Sequence, residues 1–296
     1  MNKFPLLRGL SQKWQTSFSP QRRKFIKLSA AAITTTGAAG FGYGYAVSHS
    51  VALSHVDVTI RHLPPEFNGL TIGHLSDIHH GIYTSADYLR RCVTLLNAQQ
   101  PDLVALTGDF TYGNRAYIEP CADVLSELRP RIGTYAVLGN HDYYQGAGHV
   151  ARALRRVNIN LLLDERERLE LRGAKLSLLG VDDLYYGSTD VLKLLHDIPA
   201  DEPKITLAHN PDFIEEFAVK NAHVDFMMSG HTHGGQIRIP LLGAPHIDSD
   251  YGQRYAIGMN QCREMRIYTT RGVGTIGLPV RFDCPPEIVL YRLQPA

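Results

Sequence analysis

Five short segments concentrate the side chains best suited to hold metal ions: Asp77-Ile78-His79, Gly108-Asp109, Gly139-Asn140-His141-Asp142, His209 and Gly230-His231-Thr232-His233. A set that mixes carboxylate, amide and imidazole donors suits borderline cations such as Mn²⁺, Fe²⁺ or Zn²⁺, whereas a cage of oxygens alone would suit Mg²⁺ or Ca²⁺. The pair His231 and His233, two residues apart after an apolar run, can turn both rings toward one metal site. Taken singly, the other segments have ordinary structural readings: a turn at Asp77, a helix cap at Asp109, a left-handed pair at Gly139-Asn140. Their ordered occurrence, each just after a short apolar run, points to joint use.

The elements that must position them can be read from apolar periodicity. Strands are expected at 70–75, 102–107 and 134–138, each running into one of these segments. Helices are expected between them, at about 85–99 on the spacing of Tyr88, Leu89, Cys92, Val93 and Leu96, near 117–128, and at 147–157. Further strands are expected at 168–171, 175–180, 204–208, 225–228, 236–239, 266–270 and 287–293. Alternating strands and helices in the first half predict parallel strands with crossover helices, and the strand-rich second half predicts a partner sheet. Ligands of such sheets gather beyond the carboxyl ends of the strands, where parallel neighbours bring their loops together. One domain over 56–296, without an internal linker, follows.

Charge is unevenly spread along the 296 residues. Residues 1–27 carry seven basic groups and no acid, and the first acidic residue is Asp57. Beyond residue 27, 23 basic residues face 29 acidic ones, a net charge of −6. A mildly acidic body is a poor partner for nucleic acid, so no specific nucleic-acid binding is expected. Arg22-Arg23-Lys24-Phe25-Ile26-Lys27, followed by a weakly apolar stretch over 28–47, resembles a bacterial twin-arginine export signal, with Gln21 in place of the usual Ser or Thr. Residues 1–52 are therefore expected to be signal and short linker, read by the twin-arginine export machinery, with the domain in the periplasm or cell envelope. An uncleaved leader would tether it to the membrane. Four scattered cysteines, without a Cys-x-x-Cys, fit reduced core thiols better than a disulfide scaffold or zinc ribbon, with a Cys262–Cys284 bridge left open.

The ordered segments look like the signature of the calcineurin-like metallophosphoesterases, over residues 70–233. Downstream text at 207–212, 230–236 and 268–274 narrows the resemblance to exported bacterial phosphodiesterases of the YaeI/YkuE type. The resemblance implies an α/β fold, a four-layer αββα sandwich of two mixed sheets flanked by helices. It implies two divalent metal ions: Asp77, His79 and His233 on the first, Asn140, His209 and His231 on the second, and Asp109 bridging both. A bridging carboxylate fits an ion spacing of ~3.5–4 Å and in-line attack on phosphorus by a hydroxide shared between the cations. His141 would then face the leaving oxygen as general acid or charge stabiliser. The protein serine/threonine phosphatases of the superfamily carry a second aspartate three residues after the Gly-Asp aspartate. Tyr112 stands there in this chain, which counts against protein substrates.

The expected substrate is a small phosphodiester or a lipid-linked phosphate. Cleavage of a nucleotide-linked lipid precursor of the UDP-diacylglucosamine type, or of phosphomonoesters, is the alternative. Binuclear hydrolases of other folds place their His-x-His differently, since His233 is followed by Gly234-Gly235 and no Asp-His pair. Gly272-x-Gly274-x-x-Gly277 reads as a turn, because Leu278-Pro279 cannot open a helix there. Arg271 is read either as a phosphate contact or as half of a structural salt bridge. His74 is read as a surface or capped core residue, and Tyr143-Tyr144 with Tyr185-Tyr186 either as ordinary loop tyrosines or as an apolar lip for a lipid or aromatic leaving group.

Overall fold

The computed structural model describes residues 37–296, so the twin-arginine pair and most of the leader lie outside the described residues. Among the described residues no helix is long and apolar enough to cross a membrane. From Tyr45 onward the chain is one compact unit.

Two six-stranded sheets form its frame. The first contains β1 (Ala52–Ile60), β2 (Thr71–Leu75), β3 (Leu103–Thr107), β4 (Gly133–Val137), β5 (Asn160–Leu161) and β12 (Glu287–Pro295), in the order β1-β12-β2-β3-β4-β5. The second contains β6 (Glu165–Leu171), β7 (Ala174–Gly180), β8 (Lys204–Leu207), β9 (Phe226–Ser229), β10 (Gly258–Cys262) and β11 (Met265–Thr269), in the order β10-β11-β9-β8-β7-β6. The site-bearing strands are parallel within each sheet: β2, β3 and β4 in one, β8 and β9 in the other. Antiparallel partners flank them, β12 beside β2 and β6 beside β7, so both sheets are mixed.

Side-chain alternation along these strands builds three apolar layers. Leu103 and Ala105 of β3 meet Leu178, Ile205, Leu207, Phe226 and Met228 of the other sheet in a layer between the sheets. Val104 and Leu106, pointing the other way, pack under α1 (Ala86–Asn97), α2 (Ile118–Leu125) and α4 (Ala147–Arg156) through Leu89, Cys92, Leu96, Cys121 and Leu154. Leu179, Met227 and Ile267 are covered from outside by α5 (Val191–Leu195) and α6 (Phe213–Val219). The architecture is thus the expected helix–sheet–sheet–helix sandwich. Helix α1 starts where Ser85 Oγ accepts the Tyr88 N–H, and it buries the five apolar side chains that predicted it.

Several expectations are corrected. The segment 236–239 is not a strand: Gln236 takes φ 58° and turns the chain out of register. Only isolated bridges remain there, Ile237 to Phe282 and Ile239 to Gly243. Strand β1 starts at Ala52, before the expected domain start at 56, because β12 supplies a parallel partner from Glu287 onward. Helix α3 (Asn140–Gln145) was not expected, since its first residues are site residues rather than an apolar stripe. All four thiols are free and buried, so no Cys262–Cys284 bridge forms. Cys284 Sγ instead donates to the His233 carbonyl at 3.1 Å.

Candidate metal centre

Each expected ligand follows the carboxyl end of a parallel strand: Asp77 and His79 after β2, Asp109 after β3, Asn140 after β4, His209 after β8, His231 and His233 after β9. The structure brings all seven together, and all are buried. Asp77, His79, Asp109, His231 and His233 have φ between 46° and 69°, a left-handed conformation that non-glycine residues adopt only when their surroundings hold them there. The hold is visible in the backbone. The His79 N–H donates to the Asp109 carbonyl at 2.9 Å, and the Asp77 N–H to the Gly108 carbonyl at 3.1 Å. The Asp142 carboxylate accepts the N–H groups of Asp109, Phe110 and Gly139, each at 2.9 Å. Asp142 therefore clamps two ligand loops together and does not orient His141.

Two glycines are dictated by this crowding. A Cβ at Gly139 would stand 2.3 Å from Asp109 Oδ1, and one at Gly230 would stand 2.1 Å from Asp77 Oδ2. The glycines before Asn140 and His231 thus let a carboxylate reach the backbone.

The donors fall into two groups. Asp77, His79 and His233 can offer one atom each within 4.8 Å of one another, and so can Asp109, His209 and His231. In the first group His79 Nε2 and His233 Nε2 face each other at 3.0 Å, and His233 Nε2 lies 3.5 Å from Asp77 Oδ1. In the second, His231 Nδ1 and Asn140 Oδ1 each lie 3.1 Å from His209 Nε2. Asp109 Oδ2 stands between the groups, 3.4 Å from His79 Nε2 and 3.3 Å from His209 Nε2. His209 Nδ1 lies 2.7 Å from the Thr107 carbonyl and donates to it, which leaves Nε2 to meet a cation.

Burial sets the electrostatics. It opposes charge on both Asp109 and His209, but their attraction prevails: His209 is raised to about 10 and Asp109 is held well below the usual carboxylate range. Burial lowers His79 and His231 to about 3 and His233 well below its ordinary value. Burial and the neighbouring Asp109 charge raise Asp77 to about 6. Without cations, near neutral pH, the centre holds the Asp109 and Asp77 carboxylates and the His209 imidazolium among neutral imidazoles. The three neutral imidazoles offer metals their lone pairs without proton competition, and at His209 a cation would displace a proton, so the residues present fit divalent ions.

His141 is half-buried beside the first group. Its N–H donates to Asp109 Oδ1 at 2.9 Å, and its ring is packed by His79, Tyr112 and Tyr144 at centroid distances of 4.9, 5.4 and 5.2 Å. Tyr112, standing where the related phosphatases have an aspartate, thus supports the ring by packing. His141 can also bring a ring nitrogen within 4.8 Å of donors from His79 and Asp109, so metal content must separate a ligand from a chemical role. Of the paired tyrosines, Tyr144 packs on His141, Tyr143 stacks on Tyr186 at 5.2 Å, and Tyr185 lies 6.0 Å from the His231 ring of the second group. The cavity above the ligands, ≈ 230 Å³, is bounded on its other side by Gln236, His246, Asp248 and Ile276.

Some residues around the centre resolve open readings, and others carried no sequence signal. Arg271 pairs with Glu287 at 3.1 Å, a structural salt bridge. His74 is a core residue between Tyr291 Oη and Thr107 Oγ1, at 2.9 and 2.8 Å. Asp248 Oδ2 lies 3.7 Å from His231 Nε2, on a loop without a motif. Arg281, fully buried, donates to the carbonyls of Arg271, Gly274 and Cys284 and places Nη2 3.2 Å from His233 Nδ1. It belongs to no pattern legible in the chain.

Residues 70–235 match the Calcineurin-like phosphoesterase family. The chain is 32% identical over 288 residues to the metallophosphoesterase YkuE of Bacillus subtilis (strain 168), covering 92% of this chain and 97% of the relative. It is 32% identical over 283 residues to the phosphodiesterase YaeI of Escherichia coli (strain K12), covering 92% and 98%. A transmembrane protein with metallophosphoesterase domain from Bos taurus is 29% identical over 316 residues, covering 98% of this chain and 70% of that one. The family match runs from the threshold of β2, which presents the first candidate ligand, to just past the last candidate at His233, and the chain belongs to the calcineurin-like phosphoesterases.

Proposed function

We propose that this phosphoesterase hydrolyses phosphodiesters with two divalent cations, one in the Asp77–His79–His233 group and one in the Asn140–His209–His231 group, joined by Asp109. The observation that carries the reading is Asp109 Oδ2 standing between His79 Nε2 and His209 Nε2, at 3.4 and 3.3 Å. Bound divalent cations supply Lewis acidity toward phosphoryl oxygens and acidify water. The chain's own residues do the positioning. Asp109 is fixed through Oδ1 by the His141 N–H, leaving Oδ2 for the cations. His141 meets the leaving oxygen and supplies a proton or a hydrogen bond. Burial lowers its pKa, so it rests as neutral imidazole, and an arriving phosphate anion shifts it back toward imidazolium.

The similarity to a phosphodiesterase over nearly the whole chain favours diesters, and Tyr112 disfavours phosphoprotein substrates. The basic leader with Arg22-Arg23 supports twin-arginine export, which would put the site in the cell envelope. The test is release of p-nitrophenol from bis-p-nitrophenyl phosphate and from the monoester, with Mn²⁺ and with chelator. Chelator-sensitive turnover that favours the diester is expected. No chelator-sensitive turnover on either ester would overturn the enzymatic reading, and a clear monoester preference would overturn the diesterase one.

A further inference from the structure

One rim of the cavity carries an apolar surface that the chemistry of the centre does not use. Beyond the ligand His233 the chain runs out through Ile237, Ile239, Leu241 and Leu242, all exposed, with Leu241 and Leu242 at 106% and 78%. Leu242 N–H donates to the Ile239 carbonyl at 3.0 Å and Ile239 N–H to the Gly243 carbonyl at 2.8 Å, closing a tight turn over Pro240-Leu241-Leu242. Leu241 sits at φ 70°, so the turn forces its side chain outward rather than folding it onto the body. A second segment lies against the first. Gln236 Nε2 donates to the carbonyls of Ile276 and Leu278, and Leu278 is 60% exposed. Exposed apolar side chains gathered on one surface mark interaction sites.

Two features say what docks. Ser48 Oγ donates to the Pro279 carbonyl at 3.2 Å, so the chain enters the domain beside Leu278. The sequence before that entry, 28–47, is the chain's weakly apolar stretch, with basic residues ahead of it. Charge supplies the other. Residues 237–245 contain one charged side chain, Arg238, and its Nη1 is spent on the Gly234 carbonyl at 2.9 Å. A protein or nucleic-acid partner recognised by charge has nothing to hold here, whereas an acyl–headgroup boundary accepts such a turn through apolar burial alone.

We propose that the 237–242 turn and Leu278 form a membrane-docking face that seats in a lipid surface. Gln236, directly before Ile237, and Ile276, two residues before Leu278, line the cavity wall, so docking would bring the mouth of the metal centre to headgroup level. The docking claim goes beyond the catalytic reading, and its test reads no turnover, so the two fail independently.

The test labels the full-length Leu242→Cys variant with an environment-sensitive fluorophore, since all four native thiols are buried. The probe is phosphatidylcholine vesicles, with or without a quencher carried on the acyl chains. A label at the exposed Leu192→Cys position on α5 is the control, because the leader could hold the whole protein on a vesicle. Docking predicts a blue shift and acyl-chain quenching at position 242, none at 192, and no change when salt is raised. A 242 label that stays aqueous on vesicle-bound protein overturns the proposal. A blue shift without vesicles also overturns it: if it grows with protein concentration a second copy covers the face, and if it does not the chain's own leader does.

Discussion

The backbone N–H of His141 donates to Asp109 Oδ1 at 2.9 Å, tying the candidate acid to the candidate bridging ligand. Because this contact is made by main chain, removing the His141 side chain leaves Asp109 in place. His141→Ala is therefore expected to keep metal content near wild type and to lower diester turnover by roughly 10²–10⁴-fold, the span of general acid–base contributions. Metal loss in proportion to activity would make His141 a ligand.

Asp142 predicts a structural rather than catalytic defect. Asp142→Ala strips the acceptor from three buried N–H groups, at about 1–3 kcal/mol each. The thermal unfolding midpoint should fall by at least about 6 °C, on a scale of about 2–4 °C per kcal/mol for a domain of this size. A variant with unchanged midpoint would show that these loops are held by other contacts.

The steric reading of the motif glycines is tested by comparing two alanines. Gly139→Ala puts a Cβ 2.3 Å from Asp109 Oδ1 and should sharply reduce metal retention. Gly148→Ala, inside α4 with only a flexible arginine tip near its Cβ, should keep metal and gain about 0.5–1 kcal/mol of stability. Equal metal content in the two would sink the crowding argument.

Proton linkage follows from the Asp109–His209 pair. His209, raised to about 10, carries a proton at pH 8 that a cation at Nε2 must displace. Titration calorimetry of Mn²⁺ into metal-free protein, in buffers of different ionisation enthalpy, should show at least one proton released at pH 8. No release would mean that His209 is already neutral.

His74 supplies a pH effect on stability away from the ligands themselves. Its folded pKa, lowered to about 3 by burial, lies below the unfolded value near 6.5. Its contribution is thus full above about 6.5 and is lost as pH falls toward 3, about 2 kcal/mol by pH 5. In metal-free protein, His74→Gln should lose less stability between pH 7 and pH 5 than wild type, measured by denaturant midpoints. An unchanged difference would contradict the assignment.

The convergence of the candidate ligands was legible because strand-end position and donor chemistry coincide in one local pattern, as at Leu75-Ser76-Asp77 and Ser229-Gly230-His231. What was not legible depends on distant partners. Strand β1 exists because β12, over 200 residues later, lies beside it, and 236–239 fails as a strand because Gln236 is drawn to Ile276 and Leu278. Arg281 and Asp248 reach the centre from loops whose spacing means nothing until the sheets are packed. The aromatic support of His141 from Tyr112 is of the same kind: the sequence shows the missing aspartate, and only the fold shows what replaces it.

The most direct test of the central claim is metal stoichiometry by mass spectrometry in wild type and Asp109→Ala, after loading with Mn²⁺ and desalting. Wild type should retain two ions per chain and Asp109→Ala neither, with diester turnover lost in parallel. A wild type that holds a single ion, or an Asp109→Ala variant that keeps two, would contradict a centre built on a shared Asp109.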